Sequence, residues 1–118
     1  MKSHAAVAAE LLQDEALVRA VLADVESSPL PDPEKALLRF VDKVNRDSIH
    51  IGPPDIELLH RFGWSDEAIW YAITVCALFN FYNRWIDATG VHAMSEEAHR
   101  VGGKRSATSG YIRTPPDE

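Results

Sequence analysis

Apolar residues recur along this chain at helical spacing, and no segment shows the two-residue alternation of a half-buried strand. The first stripe is Val7, Leu11 and Leu12, on an alanine-rich, helix-favouring segment from His4 to about Leu12. Only Ser3 precedes it as a capping residue, so the helix starts as though already in progress. Asp14 is placed to cap a second helix carrying Leu17, Val18, Val21 and Leu22. The proline-rich loop 27–33 ends that helix, and the spacing predicts Asp32 as cap and Pro33 as first residue of a third. Leu37, Leu38, Val41 and Val44 are the expected buried face of this third helix. Residues 45–52 read as a connector. Pro53-Pro54 then opens a short fourth helix with Ile56, Leu58, Leu59 and Phe62, and Gly63 stops it.

The strongest pattern follows. Ser65 with Asp66 and Glu67 is an N-cap with acids in the first turn, where the helix dipole favours them. The helix it opens is predicted from Asp66 to about Thr89, with Gly90 as its stop, a length of roughly 35 Å. Ile69, Ala72, Ile73, Cys76, Phe79, Asn83 and Ile86 line one face, and Trp70, Ala77, Phe81 and Trp85 line much of another. A helix apolar on two sides must be covered on two sides, which four shorter helices of a small chain do not achieve. That argues for a subunit interface. From Met94 onward a short helix is expected to give way to a glycine-, serine- and proline-rich tail, exposed or wrapped on a partner. The reading is all-α, with a helical domain over 1–92 and a C-terminal extension over 93–118.

Composition narrows the function classes. The chain has 118 residues, 46% hydrophobic and 25% charged, and a net charge of −6. That is an ordinary globular balance, and it lacks the basic field expected of a nucleic-acid or anionic-membrane binder. The longest apolar run, residues 68–81, holds a threonine and an asparagine and falls short of the roughly 20 residues a membrane helix needs. Cys76 is the one cysteine, so no internal disulfide can form and a reduced, cytoplasmic setting is expected.

Chemistry-bearing constellations are sparse. His4, His50, His60, His92 and His99 show no spacing that aims two of them at one metal, so no metal site and no cofactor are expected. Gly102-Gly103-Lys104 lacks the strand and the first glycine of a phosphate loop. Cys76 sits mid-helix, away from the electropositive setting a reactive thiol needs, and reads as packing. Asn80, Asn83 and Arg84 interrupt the apolar helix. The bland reading pairs Arg84 with an acid such as Asp42 or Asp87, and the sharper one makes the three a polar pocket lining.

Taken together, EKALLRFVDKVNRD, then PPDIELLHRFGWSDEAIWYAITVCALFNFYNRW and ATGV, resemble the C-terminal part of alkylhydroperoxidase-like (AhpD-like) proteins. These belong to the carboxymuconolactone decarboxylase superfamily, and the peroxidase-related branch is the nearest in look. The resemblance runs from about residue 4 to 91 and more loosely to Tyr111. It implies an AhpD-like bundle of about five helices, with the long helix at the interface of a homo-oligomer, dimer- or trimer-based.

The same resemblance implies an antioxidant oxidoreductase that reduces hydroperoxides by a dithiol–disulfide cycle, with a thiol electron donor. The family signature is Cys-x-x-Cys-x-x-x-His on a helix. Its cysteines share one helical face, and its histidine stands a turn further on, within reach to relay a proton. In this sequence His4 takes the place of that catalytic histidine, and the second cysteine would then stand one place before Met1. The expectation is an N-terminal truncation, checked by looking for an in-frame Cys-x-x-Cys upstream in the coding DNA. These 118 residues alone are expected to lack dithiol turnover. Two other readings stand beside this one. One is a non-catalytic oligomerisation or small-ligand module of the same fold. The other, ranked last, is a lactone decarboxylase, for whose anionic substrate no basic cluster is visible.

Overall fold

The computed structural model describes residues 2–110, and among them every regular element is helical, with no strand. Six α-helices follow in order: α1 (Lys2–Leu12), α2 (Glu15–Ala23), α3 (Asp32–Asp47), α4 (Pro53–Arg61), α5 (Asp66–Ala88) and α6 (Glu96–Ser109). A 3-10 turn, Ser48–His50, lies between α3 and α4. The chain forms two compact units. One is contiguous, Leu30–Val91, and the other joins residues 2–29 to residues 92–110.

In the contiguous unit, α3 packs against both α4 and α5, and the core is Ala36, Phe40, Leu59 and Ile69. The buried face of α3 is therefore rotated from the expected one. Ala36 and Phe40 hold its centre, Leu37 and Val44 flank it, and Leu38 and Val41 are only half-buried. Two neighbours select the stripe that lies between them, and the large phenyl ring takes the middle of it. The start of α3 also differs. Pro31 occupies the cap position and its carbonyl accepts from Lys35 N at 3.1 Å, so Asp32 is already helical and makes no side-chain cap. Its charge still lies in the first turn, where the dipole favours it. The predicted connector 45–52 is shorter, because α3 continues to Asp47 and the 3-10 turn follows at once.

The α4–α5 corner matches the predicted stop and cap. Gly63 takes φ +88°, its N–H donates to the His60 carbonyl at 2.9 Å, and Ser65 Oγ accepts from Ala68 N at 3.2 Å. The Trp64 indole N–H donates to the Pro33 carbonyl at 2.9 Å, tying this corner to the start of α3. Further along, Cys76 meets Val41 and Asn80 meets Asn45, the same sequence offset in both pairs. Thus α3 and α5 run parallel, with α4 as the return. The Lys43 ammonium bridges to Asp55 at 2.8 Å, linking α3 to α4, and Asp55 also accepts from Gly52 N at 2.9 Å.

In the split unit, α1 packs on α6 and on α2. Asp14 caps α2 as expected, accepting from Leu17 N at 2.8 Å. The predicted short helix near Met94 is a fourteen-residue one, capped by Ser95 and running through Gly102-Gly103. Tertiary packing explains it. Gly103 is buried, and a Cβ there would stand 2.6 Å from Ala6 Cβ, so the glycine lets two backbones close on each other. Residues 111–118, where the flexible tail is expected, lie outside the described residues.

Candidate functional site

Cys76 is half-buried between α3 and α5. Its thiol faces the Val41 carbonyl at 3.8 Å, and the Asn80 amide lies 3.7 Å from the sulfur. No cation stands among these neighbours, and the residue is midway along a 23-residue helix, far from the N-terminal dipole. Packing and a weak S–H donor bond describe its role.

The three polar residues that interrupt α5 separate in the structure. Asn80 Nδ2 donates to Asn45 Oδ1 at 2.7 Å and to the Cys76 carbonyl at 3.1 Å. Arg84 Nη1 donates to the Asn80 carbonyl at 3.0 Å and to Asn80 Oδ1 at 2.8 Å. Arg84 is thus held by an amide and not by an acid, while Asp42 is taken by Arg46 at 2.6 Å. Asn83 is exposed. The cluster binds the end of α3 to α5.

His50 Nδ1 pairs with Asp47, and His60 Nε2 with Asp66 at 2.6 Å across the α4–α5 corner. Among the described residues no three His, Cys, Asp or Glu side chains group as a metal site requires. His4, the expected catalytic residue, is exposed on the first turn of α1. It lines a cavity of about 160 Å³ in the split unit, shared with Val7, His99, Gly103, Arg105 and Ser106. Two imidazoles, a guanidinium and a hydroxyl therefore border one space. No sequence pattern joins His99 and Arg105 to His4, because some 95 residues or more separate them and only the α1–α6 contact brings them together. Near this cavity Arg100 is paired with Glu97 at 2.6 Å, which holds the Glu97 carboxyl below its ordinary range.

Beyond its own helix pair, α5 is apolar and open. Ile69, Ala72, Ile73 and Cys76 face the core side, but Phe79 and Ile86, expected on that face, are exposed. Trp70 and Phe81 are each 61% exposed and Trp85 58%, on one continuous side with Tyr71, Leu78 and Tyr82. No helix among the described residues is long and apolar enough to cross a membrane. Compared with known protein families, with curated proteins and with solved structures, the chain has no match.

Proposed function

We propose that this chain is an AhpD-like, peroxidase-related helical protein of the cytoplasm, self-associating through α5, whose own residues carry no dithiol peroxidase cycle. The support for the family is the resemblance of residues 4–91, together with the helix–corner–helix that those residues form around Gly63 and Ser65. The observation that carries the functional part is the setting of Cys76. A dithiol cycle reduces ROOH to ROH and water while two thiols become one disulfide. A lone thiol oxidised to the sulfenic acid needs a second thiol to resolve it. This sequence holds one cysteine, and its sulfur is engaged in the α3–α5 contact without a cation beside it.

The role left to these residues is assembly, with His4 as the proton-relaying group where thiols are supplied. The exposed side of α5 supports a second copy of this chain as its partner. Five half-exposed aromatic rings, Trp70, Tyr71, Phe81, Tyr82 and Trp85, present on the order of 500 Å² of mostly apolar surface. That is at the upper end for a monomer's largest patch. No acid or base lies on α5 between Glu67 and Arg84, so two copies meet there without setting like charges together, despite −6 per chain.

Peroxide turnover tests the catalytic half. The purified chain, given cumene hydroperoxide and a dithiol donor, is expected to consume peroxide no faster than its Cys76→Ala variant. Rapid consumption that the variant loses would overturn the proposal.

A further inference from the structure

We infer that the α1–α6 cavity of the split unit is a binding site for a small organic carboxylate. The inference is independent of the family reading and of any thiol chemistry. Three observations meet there.

The first is a glycine without a packing reason. Glycine inside a helix costs about 1 kcal/mol relative to alanine, and α6 carries two in succession. Gly103 is accounted for by its contact with Ala6. Gly102 is not, since a Cβ added there meets nothing within 4 Å. It lines the cavity. A helix that forgoes a side chain facing open space keeps that space open, which is where a bound molecule gains close approach to the backbone.

The second is charge. The chain is acidic overall, yet from Ala98 to Gly110 it has no acid and holds His99, Arg100, Lys104 and Arg105. Arg100 is occupied by Glu97, whereas the Arg105 guanidinium has no hydrogen-bond or ion-pair partner among the described residues. Arg105 borders the cavity with the imidazoles of His4 and His99 and the Ser106 hydroxyl. The Arg105 guanidinium beside the Ser106 hydroxyl suits a carboxylate, to which arginine binds in bidentate fashion.

The third is size and lining. The volume, about 160 Å³, lies well under the roughly 300–1,000 Å³ of sites for drug-sized ligands. Val7 and Met94 supply an apolar wall, so the ligand has a short hydrocarbon or ring body and is not a bare inorganic ion.

Benzoate is a suitable probe, titrated into the ¹⁵N-labelled full chain with backbone amide shifts as the readout. Saturable shifts at Gly102, Gly103 and Ser106 are expected, with a Kd on the order of 1 mM. Arg105→Gln, at an exposed position that leaves the fold intact, is expected to weaken binding about tenfold. Gly102→Leu, which fills the space, abolishes it. Benzyl alcohol, of the same shape without the charge, binds at least about tenfold more weakly. Shifts that never saturate overturn the inference. So does benzyl alcohol or the Arg105→Gln variant binding as well as the reference pair, or inorganic phosphate competing as well as benzoate.

Discussion

Two adjacent glycines in α6 have opposite meanings, and the difference is measurable. At Gly103 a methyl group would collide with Ala6 Cβ at 2.6 Å and with the Ala6 carbonyl carbon at 3.0 Å, neither of which can swing aside. The gain in helix propensity is outweighed, so Gly103→Ala is expected to destabilise the protein by about 1–3 kcal/mol. At Gly102 only the propensity gain remains, and Gly102→Ala is expected to stabilise by about 0.5–1 kcal/mol. Urea unfolding of the two variants side by side reads both signs. Equal effects at the two positions would contradict the close α1–α6 approach. Nothing in the local string Gly102-Gly103-Lys104 reveals this. Local propensity predicts a break in the helix, and the packing that overrides it comes from Ala6, nearly a hundred residues earlier. The sequence singles out His4 but does not bring His99 and Arg105 to it, for the same reason.

At the scale of elements, helix ends were the most legible feature, because caps are local chemistry. Asp14, Ser65 and Gly63 act where their positions suggested. Asp32 does not, since the extended Pro31 already supplies the first helical carbonyl. Which stripe of α3 is buried depends on two neighbouring helices and could be read only approximately. One tie between elements has a pH signature. The Lys43 hydrogen bond, aided by the Gly52 N–H, holds the Asp55 carboxyl below its ordinary range. A carboxylate whose folded value is depressed contributes stability above its unfolded pKa, about 3.9, and loses it as pH falls through the folded value. The stability gap between the parent chain and Asp55→Asn is therefore expected at neutral pH and should close as the solution is taken below about pH 4. Thermal melts across that range check it, and a gap independent of pH would remove Asp55 from the tie between α3 and α4.

For the whole molecule, the reading of an all-α chain holds among the described residues, and six helices carry it. The exposed aromatics of α5 make a prediction about mass. Light scattering of the full chain is expected to give a multiple of 13.1 kDa. Trp85→Glu, at a 58% exposed site, should lower that mass without loss of helical circular dichroism. A well-folded monomer in the parent protein would rule out α5 as a contact between copies.

The division of the chain into a contiguous unit and a split one also bears on synthesis. Residues 30–91 hold all three of their packed helices in one stretch, so they can close while the ribosome is still adding the chain. Helix α1 cannot close in that way: Ala6 and Gly103 are far apart in sequence, so α1 docks only after α6 has been made. The alanine-rich face of α1 therefore waits uncovered by α6 throughout the synthesis of residues 30–91.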